Sequence, residues 1–186
     1  MVESQGTRAD ILRVALELFR TQGYDATSLR QIAERLGITK AALYYHFRAK
    51  EQLVIELTRP FLDGFSSIVA TARARADEES AVTTEELLGQ YLDLIIAEHE
   101  VLSLLAGDPG TMKHPDIGQR GTTLVRAFQA ELVGSEASDD DHVRAACAVG
   151  AINAAAGLPA GAIENARTHV LRAALAVLAS GEPGSG

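Results

Sequence analysis

Apolar residues recur every three to four positions along most of this chain, and the recurrence is interrupted at glycine, proline and short polar runs. Over residues 8–22, Ile11, Leu12, Ala15, Leu18 and Phe19 share one face, while Arg13, Glu17 and Arg20 fall elsewhere. That spacing predicts an amphipathic helix stopped at Gly23. A second helix starts after Thr27 or Ser28, both competent N-caps, buries Leu29, Ile32, Ala33 and Leu36, and stops at Gly37. Thr39 can cap a third helix reaching about Phe47. A longer fourth helix begins near Lys50 and continues through Leu53, Leu57, Phe61, Phe65 and Ile68, and Pro60 marks a bend or an early end.

Beyond a polar loop at 75–82, Thr83 and Glu86 have capping-box spacing. They open a helix carrying Leu87, Leu88, Tyr91, Leu94, Ile95, Leu102 and Leu105. Residues 107–115 hold Gly and Pro turn signals, with His114 and, just beyond, Asp116 belonging to the turn. Another helix runs from about Pro115 to Val133. The acidic stretch 134–141 precedes two last helices, about His142–Gly157 and Gly161–Ser180. The Gly/Pro/Ser-rich residues 181–186 read as a disordered tail.

Composition sharpens this to an all-α fold. Ala and Leu supply 53 of 186 residues, Trp is absent, and runs of strand-forming residues are few. The single cysteine, Cys147, excludes a disulfide framework and a Cys-based zinc site, and the dispersed histidines show no metal-ligand spacing. No run approaches the ~20 apolar residues of a membrane span, and the N-terminus lacks a signal pattern, so a cytoplasmic location is expected. The net charge of −8 conceals a division. Residues 1–50 carry eight Lys/Arg against five Asp/Glu, and residues 51–186 carry nine against twenty. A basic head on an acidic body points to two tasks in one chain.

The informative stretch is 27–47. Helix, short Gly37-Ile38-Thr39 turn and helix together have helix-turn-helix form. With Leu43 and Phe47 facing inward, the third helix presents Lys40, Ala41, Tyr44 and Tyr45 outward. Such a helix fits the major groove of DNA. Lys40 can reach a guanine edge or a phosphate, Ala41 and Ala42 permit close approach, and Tyr44 can donate its hydroxyl to a phosphate. Thr27 and Ser28 place hydroxyls at a helix N-terminus, where a phosphate can sit. Arg30 can lie over the DNA backbone or pair with Glu34 four residues on. Lys50 can hold a further phosphate, whereas Arg48 reads as a solvated charge.

The run Ile11-Leu12, Ala15, Leu18-Phe19, Gly23-Tyr24, Thr27-Ser28, Ile32-Ala33, Gly37-Ile38, Leu43-Tyr44, Phe47, Lys50, Leu53 resembles the N-terminal domain of TetR-family transcriptional regulators. The resemblance covers residues 8–54. It implies a three-helix DNA-binding domain at 1–49 whose third helix reads the major groove. It also implies a larger helical domain at 50–180 for effector binding and dimerisation. The family's DNA contacts fall on Thr27 or Ser28, Arg30, Thr39, Lys40, Ala41, Tyr44, Tyr45, His46 and Lys50. Two positions depart from the pattern: Ala42 stands where a hydroxyl residue is frequent, and Ala49 where an N-capping residue is usual.

The expected partners are a palindromic double-stranded operator, a small-molecule effector and a second copy of the chain, joined through the last two helices. Those helices are rich in small residues, which permit close packing. Phe61, Phe65, Tyr91, Ile95, Leu102, Val125, Phe128 and Asn153 are the candidate pocket residues. Effector binding would tilt the fourth helix and release a repressor from DNA. No catalytic motif and no cofactor site is read from the chain. Competing readings are a helical adaptor with a vestigial helix-turn-helix and a small helical enzyme. A gel shift on the promoter beside its own gene separates all three.

Overall fold

The protein is described by a computed structural model covering residues 2–75, 82–107 and 115–180, with side chains described outside 2–6, 107, 115, 116 and 160. The expected tail at 181–186, most of the loop at 75–82 and the turn containing His114 lie outside these residues, as does the side chain of Asp116. Among the described residues the chain forms nine helices: α1 Val2–Gln22, α2 Leu29–Leu36, α3 Lys40–His46, α4 Lys50–Ala74, α5 Thr84–Ala97, α6 His99–Gly107, α7 Pro115–Val133, α8 Asp139–Ala155 and α9 Ala160–Ala179. The fold is all-α, as the periodicity predicts.

Three boundaries differ from the sequence expectation. Pro60 lies inside α4 and does not end it. The helix expected to run unbroken past Leu102 stops at Glu98 and restarts at His99. No glycine or proline marks that break. The side chain of His99 is buried, and its Nε2 lies 2.5 Å from the Leu158 carbonyl oxygen in the turn between α8 and α9. The eighth helix begins at Asp139, because Ser138 and Asp141 form a reciprocal capping box ahead of His142.

The described residues form two compact units, Met1–Pro60 with Val101–Gly118, and Phe61–Glu100 with Gln119–Gly186. In the first, the inward faces of α1 to α4 meet in a core built on Ile11, Phe19, Ile32, Leu43, Phe47 and Leu53. Val101, Leu104 and Leu105 of α6 and Ile117 of α7 complete that core. Burying each such side chain stabilises the fold by about 1.5–3 kcal/mol relative to exposure. Arg8 braces α1 against α4 through a 2.9 Å ion pair with Glu56, and its guanidinium lies 4.7 Å from the centre of the Phe47 ring.

In the second unit α9 packs on α8 and α5. Arg167 of α9 grips Asp93 of α5 with two hydrogen bonds of 2.5 and 2.8 Å. Phe65, Tyr91 and Phe128 form an aromatic core. Phe65 stacks on Tyr91 with centroids 4.6 Å apart, and Phe128 lies 5.4 and 5.0 Å from them.

Candidate nucleic-acid interface

The segment from α2 to the start of α4 is shaped by local chemistry. Ser28 has extended backbone and caps α2, accepting a hydrogen bond from the Gln31 N–H while the Gln31 side chain receives the Ser28 N–H at 2.7 Å. Gly37 ends α2 in the left-handed region at φ 67°, and the Ile38 N–H returns to the Ala33 carbonyl at 3.0 Å. A Cβ at Gly37 would meet nothing within 4 Å, so backbone conformation, not space, requires glycine there. Two residues on, the Thr39 hydroxyl accepts the Ala42 N–H at 3.1 Å and caps α3.

Leu43 and Phe47 are fully buried and fix the rotation of α3. Lys40, Ala41, Tyr44 and Tyr45 are thereby left on its exposed side. Tyr45 is 83% exposed and Tyr44 40%. The Lys40 ammonium sits 5.4 Å from the Tyr44 ring centre. The His46 ring is half-buried and meets Tyr45 edge to face. Large aromatic side chains seldom stand this open on a short helix without a partner to cover them.

The flanking polar residues divide. Thr27 is only 2% exposed, and its hydroxyl donates to the Gly23 carbonyl at 2.8 Å while accepting from Gln22 at 3.0 Å. Its side chain therefore has no free face to offer a phosphate. Ser28 is exposed, with its hydroxyl engaged by Gln31, so this helix end offers first-turn N–H groups more readily than hydroxyls. Arg30 is exposed and paired with Glu34 at 2.7 Å. The Glu34 hydrogen bond and charge push the Arg30 pKa further up, keeping it cationic.

Lys50 turns inward. Its ammonium donates to the Tyr24 carbonyl at 2.5 Å, lies 3.5 Å from the Asp25 carbonyl oxygen, and sits 4.0 Å from the centre of the Tyr24 ring. Arg48, by contrast, is exposed with no ion-pair partner among the described residues. Nothing in the sequence pattern distinguishes these two cations. The Arg8 bridge to Glu56 and Phe47 likewise escapes notice, because its three members lie far apart in the chain.

Residues 11–57 match the family model described as bacterial regulatory proteins, tetR family. The chain belongs to the TetR family. Among relatives in that family it is similar to the HTH-type transcriptional repressor KstR2 of Rhodococcus jostii, 37% identical over 110 residues, covering 55% of this chain and 54% of that protein. It is also similar to the HTH-type transcriptional regulator AcrR of Shigella flexneri, 33% identical over 96 residues, 52% of this chain and 45% of that one. The chain thus spans about half the length of these curated relatives. A transcriptional regulator of the TerR/AcrR family from Aquifex aeolicus shares the fold at a TM-score of 0.69, with 21% identity over 90% of this chain and 98% of that one. The family model ends within α4, so the TetR assignment rests on the unit that carries α3.

Of the candidate pocket residues, Phe65, Tyr91, Ile95 and Phe128 are buried, and Phe61 and Val125 are half-buried. Phe61 lies 5.9 Å from Phe65, centre to centre. The Tyr91 hydroxyl donates to Asn153 Oδ1 at 2.6 Å, and burial raises the Tyr91 pKa well above that of a free phenol. Asn153 itself is exposed on α8. Leu102 does not join the group, because it packs against the core of the first unit. Among the described residues no cluster of His, Cys, Asp or Glu suits a metal ion, and no helix is long and apolar enough to cross a membrane.

Proposed function

We propose that this chain is a DNA-binding transcriptional regulator of repressor type that acts as a homodimer on a palindromic operator and is released by a small-molecule effector. The observation that carries the reading is α3: a helix locked by Leu43 and Phe47 beneath, presenting Lys40, Ala41, Tyr44 and Tyr45 above, within the stretch that matches the family model. A helix of this size enters the major groove with its N-terminal residues on base edges. Thr39, Lys40, Ala41, Tyr44, Tyr45 and His46 would face the duplex, with Arg30 and the α2 N-terminus on the phosphates. Operator access places the protein in the cytoplasm, and no catalysis is part of its action.

Pairing is supported by the exposed strip Val143, Ala146, Cys147, Gly150 and Ala154 along α8, where Val143 is 60% exposed. Small side chains at this spacing let a second copy's helices approach closely. The effector site would open within the second unit, where Phe61, Phe65, Tyr91, Ile95, Val125 and Phe128 supply apolar walls and Asn153 a polar atom. Their rings pack against one another, so an effector must part them, and it acts only by binding the DNA-free conformation more tightly.

The test is a gel shift on the intergenic DNA beside the protein's own gene at low ionic strength. Binding is expected, with Lys40→Ala and Tyr44→Ala each weakening it by roughly 1–3 kcal/mol while leaving the melting temperature unchanged. Protein that ignores this DNA favours the adaptor reading instead.

A further inference from the structure

We infer that Arg48 makes the phosphate contact beside the start of α4, and that Lys50 is a positioning residue that pins the α1–α2 turn. This rests on the DNA-binding reading above. The two cations lie two residues apart and face opposite environments. The Lys50 ammonium is already solvated by protein: two backbone carbonyls, at 2.5 and 3.5 Å, and the face of Tyr24 at 4.0 Å. An ammonium over an aromatic ring with charge-assisted bonds to carbonyl oxygens gives up both when it swings out to a phosphate. The same contacts tie the first turn of α4 to Tyr24 and Asp25, in the connection that leads into Ser28 and α2.

Arg48 has the complementary properties. Its backbone is held on both sides, by the buried Phe47 before it and by its own N–H donating to Gln52 Oε1 at 2.7 Å. Its guanidinium is exposed and has no ion-pair partner among the described residues. A rigidly based, unpaired guanidinium offers a planar fork of donors that fits a phosphate, and binding there breaks no existing ion pair. Arg30, Arg35 and Arg8 are by contrast already paired with Glu34, Glu17 and Glu56.

Salt dependence separates the two roles, because each neutralised phosphate contributes about 0.9 to the slope of log K against log salt concentration. The probe is a labelled random-sequence duplex, since phosphate contacts do not require a known operator. Anisotropy titrations would be run across potassium chloride concentrations, well below the melting temperature. Arg48→Gln is expected to lower the slope by about 0.9 for each protomer on the duplex and to leave the melting temperature unchanged. Lys50→Met is expected to lower both affinity and melting temperature with the slope intact. Tyr24→Leu should reproduce that pattern and add little to Lys50→Met in the double variant. A reduced slope for Lys50→Met, or an unreduced one for Arg48→Gln, overturns the assignment. Should Lys50→Met fail to fold, the exposed Arg48 variant still decides the matter. Wild-type protein that binds no duplex at all overturns the interface itself, and this assignment with it.

Discussion

Replacing Gly37 by alanine separates two reasons a turn can require glycine. At φ 67° an L-residue with a Cβ carries about 1–2 kcal/mol of strain. Alanine also narrows the unfolded ensemble, which returns roughly 0.4–1 kcal/mol. Space adds nothing, because a Cβ built there meets no atom within 4 Å. The net expectation is a loss on the order of 1 kcal/mol, or about 2–4 °C in melting temperature for a chain of this length. Gly37→Asn should lie within a few tenths of a kcal/mol of the native protein, since asparagine tolerates the left-handed region. Gly64→Ala is the contrasting control. Its Cβ would come 2.9 Å from Leu94 Cδ1, so any loss there comes from crowding against a movable side chain. The assay is thermal unfolding followed by circular dichroism, with duplex affinity measured below the transition. Gly37→Ala as stable as the native chain, or Gly37→Asn as damaged as alanine, refutes the argument from φ.

Other outcomes follow from burial and from titration. Leu43→Ala removes a fully buried side chain beneath α3 and should cost about 2–5 kcal/mol, abolishing DNA binding through loss of the first unit's packing. Tyr91→Phe deletes the hydroxyl bonded to Asn153, whose exposed position lets water replace the lost donor. The cost should be about 0.5–1.5 kcal/mol by urea unfolding, and ultraviolet titration should lose the last phenol to ionise. Asp141 is held down to about 2 by hydrogen bonds from the Ser138 side chain and backbone, aided by Arg144. Its folded pKa lies below the unfolded value, so its contribution is complete above the ordinary carboxylate range and disappears as pH falls toward about 2. Asp141→Asn should therefore melt below the native chain at neutral pH and together with it near pH 2, measured by scanning fluorimetry.

How much of this was legible beforehand depended on distance along the chain. Ser28 with Gln31, Gly37 with Ala33, and Thr39 with Ala42 are partners within four residues, so their chemistry is written in adjacent letters. The inward stripe that ends in Leu43 and Phe47 follows from helical spacing alone, and with it the outward face of α3. The sequence by itself therefore determined the all-α fold, the helix-turn-helix and its presented residues. Tertiary structure decided the rest. Periodicity runs on through Glu98 without a breaker, yet α5 ends there and His99 turns to a carbonyl 59 residues away. Lys50 and Arg48 look alike in sequence, and the Tyr24 carbonyl and ring, 26 residues back, draw only one of them inward. Thr27 and Ser28 are equal as caps until packing buries the first and leaves the second exposed. Local hydrogen bonds and helical repeat are encoded within a turn or two, whereas the direction of a long polar side chain depends on which distant backbone it meets.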